Sequence, residues 1–162
     1  MDKEFVPTVG AGGFQLGNPS GVDLAGLAAA LGLFGEVGPG GGGMERLRGK
    51  GLLITAYLEH LLGRVLEEGK EEGKEPDFRI ITPANPMERG SQLSLLLRDG
   101  LLEGVSRKLA EEGVVCDARK PGVIRVAPVP MYCTFEDVWR FVEILRRALR
   151  GGGWCLRSTS TW

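Results

Sequence analysis

Little in this 162-residue chain invites a catalytic reading at first sight. It has one histidine, His60, and three scattered cysteines, Cys116, Cys133 and Cys155. With no Cys-x-x-Cys pair and no clustered imidazoles there is no metal-ligand spacing. The odd cysteine count reads as a reduced, cytosolic chain with incidental thiols rather than a disulfide framework. His60 falls off the apolar stripe of its helix, so a solvent-facing imidazole is expected and a catalytic dyad built on it is not. Neither charge is in surplus: 20 basic against 21 acidic residues leaves a net −1. That balance excludes the clustered positive field a nucleic-acid partner needs. No apolar run approaches the length of a membrane span. The opening "MDKEFVPTVG" lacks the basic-then-apolar layout of a secretory signal. The glycines of "GAGGFQLG" do not form the spaced dinucleotide fingerprint, and no phosphate-loop lysine follows them. Of the six lysines, Lys3, Lys50, Lys70, Lys74, Lys108 and Lys120, none sits in the apolar surroundings that would desolvate an amine for Schiff-base chemistry.

What the chain does have is glycine, 26 residues of it, more than double the usual share of about 7%. The glycines cluster, which marks loops rather than a repeat. Residues 1–21 read as an irregular arm, and Asp23 to Phe34 as a helix. Leu24, Leu27, Leu31 and Phe34 recur at helical spacing, so this helix is expected to be amphipathic or largely buried, capped by Ser20 or Asp23. The Gly-rich stretch 35–43 is a loop. A second helix is predicted from Met44 to Leu66, with an apolar face of Leu47, Ile54, Leu58, Leu61, Leu62 and Val65. "EEGKEEGKEPD" after it reads as a solvated linker. Strands are predicted at 78–82, 91–97, 114–117 and 123–127, the last two joined by "ARKPG". A helix at 101–112 carries Leu102, Val105 and Leu109. A final helix, capped by Thr134, carries Val138, Phe141, Val142, Leu145 and Leu149. This order gives an α+β fold with one short, mostly antiparallel sheet of about four strands covered by helices. The expected division is 1–36 as arm and connecting helix, 37–150 as a small domain, and 151–162 as a divergent, disordered tail.

Two residues stand out as candidate ligands. Arg125 interrupts the apolar run "GVIRVAPVP" with no acid beside it. On a strand it shares a face with Val123 and Ala127, while Ile124 and Val126 take the other. Either that face is wet and the guanidinium is simply solvated, or it looks into a cavity and requires an anion. Its planar fork of N–H donors matches a carboxylate, such as that of a free amino acid. Asn18, in "QLGNPS", either starts a turn before proline or offers a side-chain amide to a phosphate or carbonyl near a helix start.

The segments "GFQLGNPS", "MERLRGKGLLITAYLEHLL", "FRIITPANPMERGSQLSLL", "LAEEGVVCDARKPGVIRVAPVPMY" and "TFEDVWRFVEIL" together resemble the C-terminal part of kynureninases, over roughly residues 1–149. The resemblance leans towards fungal members. It implies the small C-terminal domain of a fold-type-I pyridoxal 5'-phosphate enzyme of the aminotransferase class V superfamily. It implies hydrolysis of L-kynurenine or 3-hydroxykynurenine to anthranilate or 3-hydroxyanthranilate plus L-alanine, in tryptophan catabolism and NAD biosynthesis, by a cytoplasmic homodimer with no nucleic-acid or membrane partner. By position, Arg125 matches the family arginine that binds the substrate carboxylate. Asn18 matches an asparagine lining the site near cofactor and substrate. Gly17 replaces the usual serine. The family's cofactor lysine, its pyridinium partner and its phosphate loops lie upstream of the matching region. The chain is therefore expected to be a truncated product begun at an internal methionine and inactive alone. The alternative is a non-catalytic isoform that pairs with a full-length subunit or binds an amino-acid carboxylate.

Overall fold

The computed structural model describes residues 6, 8–15, 17–38 and 42–150; the tail 151–162, Cys155 and the centre of the Gly-rich stretch lie outside them. The chain falls into two units, Met1–Arg46 and Leu47–Trp162.

In the first unit, a single 3-10 turn at Ala11–Phe14 precedes helix α1, Gly21–Gly35. Ser20 is the N-cap, its Oγ accepting from the Asp23 N–H at 3.4 Å. The expectation that α1 is amphipathic or largely buried does not hold. None of its residues is buried, and Leu24, Leu27 and Leu31 are about half exposed or more. Glycine, alanine and leucine go all the way round the helix, so no polar face sets an inside against an outside.

Helix α2 runs Gly43–Glu71, five residues beyond its predicted end. The first half of the "EEGK" near-repeat is therefore helix, not linker. Glutamate and lysine favour helix, and one interior glycine costs only about 1 kcal/mol. Glu68, on that last stretch, accepts from Arg146 at 3.2 Å and Arg150 at 3.3 Å. The helix stops where Gly73 takes a φ of 70°, with Lys74 N–H bonded back to the Gly69 carbonyl. This is the left-handed turn that glycine adopts without a side-chain clash.

In the second unit, strands β1 (Phe78–Ile80), β2 (Leu93–Leu97), β3 (Asp117–Arg119) and β4 (Val123–Val126) form one sheet in the order β1-β2-β4-β3. Every pairing is antiparallel. Helices α3 (Leu102–Glu111) and α4 (Phe135–Arg150) complete the α+β unit. Alternation decides the core face. Leu93, Leu95 and Leu97 of β2 and Ile124 and Val126 of β4 are buried, as are Leu102, Val105 and Leu109 of α3. They form one cluster with Ile54, Leu58 and Leu62 of α2 and Val138, Phe141, Val142, Ile144 and Leu145 of α4. Each fully buried leucine or isoleucine contributes about 1.5–3 kcal/mol. Helix α4 starts on a reciprocal cap: Thr134 Oγ1 accepts from the Asp137 N–H, while Asp137 accepts from the Thr134 backbone and hydroxyl.

The predicted strand at 114–117 is displaced. Gly113, at φ 78°, closes α3, and Val114 N–H bonds back to the Leu109 carbonyl. Residues 114–116 are taken up by that exit, Val115 is almost wholly exposed, and pairing begins only at Asp117. A close approach of α2 to the segments around the sheet rests on Gly51. A Cβ there would lie 2.8 Å from Ser91 Oγ and 3.2 Å from Pro130 Cγ.

The loop 83–89 is pinned to α2 at two points. Arg48 donates to the Pro86 carbonyl at 2.6 Å. Arg89 forms a two-bonded fork with Glu59, at 3.1 and 2.5 Å, and a third bond to the Pro83 carbonyl at 3.0 Å. Among the described residues, no helix is long and apolar enough to cross a membrane.

Candidate functional site

Strand β4 puts Ile124 and Val126 into the core, so Val123 and Arg125 face outward. The register then places Arg125 between two strands. Ser94 of β2 is its partner on one side and Asp117 of β3 its partner on the other. The sequence has no acid next to Arg125, but the sheet supplies one. Arg125 Nη2 donates to Asp117 Oδ2. The same oxygen accepts from Arg119 Nε at 3.1 Å and Nη2 at 3.0 Å. The cluster holds two guanidiniums against one carboxylate, so it keeps one uncompensated positive charge.

The Arg125 side chain is only 37% exposed, and its Nε is buried with no acceptor among the described residues. Buried N–H donors almost always find a partner, and this one has none among the described residues. Of the two readings left open by the sequence, a freely solvated guanidinium is not what the structure contains. Arg125 is half-buried, ion-paired at one nitrogen and unpaired at another.

The Arg125 hydrogen bond, helped by Arg119, holds the Asp117 carboxyl below its ordinary value of 3.8. The folded state thus binds this proton less tightly than the unfolded chain. The contribution is complete above pH 3.8 and is lost as pH falls through the lower folded value. Urea midpoints should therefore show no loss from Asp117 between neutrality and about pH 5, then a fall on further acidification. Asp117→Asn should lose less than the parent chain between pH 5 and about pH 2.5. Equal losses in both proteins would contradict the assignment.

The remaining candidates are placed as follows. Asn18 lies in the first unit, exposed, two residues before the cap of α1. At Gly17 an added Cβ would meet nothing within 4 Å, so a serine has room there. His60 is exposed, as its position off the apolar stripe predicts. Cys116 and Cys133 are free thiols, and burial pushes the Cys116 thiol up to about 11, which makes it unreactive. No group of three or more metal-ligating side chains occurs among the described residues. A hollow of about 180 Å³, lined by Ser106, Leu109, Gly113 and Cys116 among others, does not include Arg125. Arg125 works from an open sheet face.

The neighbours of Arg125 are what sequence reasoning missed. The signal was present in "CDARKPGVIR": a hairpin turning at 120–122 sets residue 117 opposite 125. Placing the strand three residues too early hid it.

The profile of the kynureninase C-terminal domain family matches residues 47–145, the segment that carries the whole sheet and Arg125. The chain belongs to that family. Kynureninase 1 of Neurospora crassa is 60% identical over 151 residues, 93% of this chain and 30% of the relative. Kynureninase 2 of Chaetomium globosum is 58% identical over 151 residues, 92% of this chain and 27% of the relative. A kynureninase of Pyricularia oryzae is 54% identical over 153 residues, again 92% and 30%. The chain thus spans less than a third of the length of these relatives.

The family's cofactor is pyridoxal 5'-phosphate, and the described residues do not fit it by themselves. The cofactor needs a lysine amine free to form a Schiff base. Lys74 is exposed and bonded to Glu72, and Lys108 is paired with Glu111 and Glu112. Lys70 and Lys120 are exposed, and Lys50 is partly exposed on α2, where its charge acts on the Asp137 carboxylate.

Proposed function

We propose that this chain supplies the substrate-carboxylate anchor of a kynureninase, an enzyme that hydrolyses L-kynurenine or 3-hydroxykynurenine to anthranilate or 3-hydroxyanthranilate plus L-alanine. The observation that carries the proposal is Arg125. It is a half-buried guanidinium in a cluster with one surplus positive charge, with a buried Nε that lacks an acceptor. Such a fork takes an amino-acid carboxylate through paired, charge-assisted hydrogen bonds. Holding that end fixes the Cα proton and the side-chain carbonyl of the substrate in one orientation. The contribution is to proximity rather than to bond chemistry.

In this reading Asn18 lies near cofactor and substrate, and residues 37–150 form the small domain. The cofactor is held by residues other than those described. The setting is a cytoplasmic homodimer acting in tryptophan catabolism and NAD biosynthesis. Membership of the family supports the kynureninase setting as a whole.

The test is a graft. Neurospora crassa kynureninase 1, with its matching segment replaced by this chain, should release anthranilate from L-kynurenine within about tenfold of the parent kcat/KM. A folded graft with no measurable turnover would favour the alternative, a chain that binds carboxylates or pairs with a longer subunit without serving catalysis.

A further inference from the structure

We infer that Asp117 is a positioning residue, which holds the Arg125 guanidinium at Nη2 and so orients its remaining accessible donors towards the ligand carboxylate. This rests on the carboxylate reading of Arg125 above.

An arginine side chain on an open sheet face has many rotamers, and a ligand that must first order it binds more weakly. Here the ordering is already done within the hairpin. Asp117 and Arg125 are directly opposed in the β3–β4 register. Arg119, two residues on and on the same face as Asp117, closes a fork on the same Oδ2 that Arg125 uses. The three side chains alternate in charge across one short hairpin, and Arg119 fixes the carboxylate that fixes Arg125. On the other flank Arg125 faces only Ser94, whose hydroxyl accepts from Gln92 at 3.3 Å. With Nη2 held by Asp117 and Nε buried, the exposed part of the guanidinium keeps Nη1 for a ligand oxygen. Asp117 does not cancel the site's charge, because Arg119 balances it.

The test uses the full chain, with arginine side chains labelled for NMR and L-alanine as the carboxylate probe. Without ligand, the two Nη groups of Arg125 should give separate signals in the parent chain, from hindered rotation. They should average in Asp117→Asn. On titration, the Arg125 Nη signals of the parent should shift to saturation. Asp117→Asn should weaken that binding by about tenfold, Arg119→Gln by less, and Asp117→Glu should recover part of the loss. Backbone amide signals away from the hairpin report whether each variant is folded. If Asp117→Asn does not fold, Arg119→Gln carries the comparison.

Unaltered Arg125 Nη signals in Asp117→Asn, or alanine binding as tight as or tighter than the parent's, would overturn the inference. In the last case Asp117 competes with the ligand instead of aiming its receptor. The parent reading fails separately, if the parent chain shows no saturable shift or if Arg125→Lys binds alanine equally well. The ligand-free Nη comparison then still decides whether Asp117 orders Arg125.

Discussion

Replacing Arg125 by alanine in the grafted enzyme is expected to lower kcat/KM for L-kynurenine by more than 100-fold, about 3 kcal/mol of transition-state stabilisation. The size follows from what is removed. A charge-assisted fork on a carboxylate is among the stronger single contacts a protein makes, roughly twice a neutral hydrogen bond. Its loss also releases the orientation of the reacting end of the substrate. Both KM and kcat should respond, KM through lost affinity and kcat through lost alignment. Arg125→Lys should fall between the two proteins. Lysine keeps the charge but has no planar fork, and its amine cannot satisfy Asp117 and a ligand carboxylate in the same geometry. Steady-state kinetics by anthranilate fluorescence checks this, and an unchanged kcat/KM in Arg125→Ala would remove Arg125 from the site.

The second large effect concerns stability and lies away from the site. Glu59→Ala is expected to destabilise the second unit by about 3 kcal/mol, because it leaves a buried guanidinium without its counter-ion. The Arg89 side chain is only 4% exposed, and without Glu59 its remaining bond is to the Pro83 carbonyl. For a unit of this size the loss corresponds to a fall in Tm of roughly 10–15 °C. The double variant Glu59→Met with Arg89→Leu should recover much of it, since it removes both charges and keeps the volume. An exposed pair makes the control. Lys108→Ala, at a side chain 44% exposed, should cost less than about 0.5 kcal/mol. If Glu59→Ala melts with the parent chain, the loop 83–89 is held by something other than this pair.

These two residues also mark how much could be read before the fold was known. The apolar face of α3 was legible residue by residue, and that of α4 but for the buried Ile144, because helical periodicity is a local property. The outward direction of Arg125 was legible for the same reason, from the two-residue period of β4. The reach of α2 past Leu66 was not. Two glycines in a charged run look like a linker, and Glu68 gains its partners only from Arg146 and Arg150, some 80 residues later. The apolar spacing of α1 suggested burial that is absent, because spacing says which residues share a side and not whether anything covers it.

Sequence by itself determined the α+β class, the core-facing positions, the single outward arginine in an apolar strand and the family resemblance. Only the tertiary structure decided what that arginine meets. Asp117 and Arg119 become its neighbours through the register of a hairpin, and that register depends on where α3 releases the chain. Periodicity along one strand carries no information about the residue opposite. The same holds for Glu59 and Arg89, which lie 30 residues apart and meet only because α2 packs beside the loop before β2. Local pattern sets which way a side chain points, and packing between distant segments sets its partner.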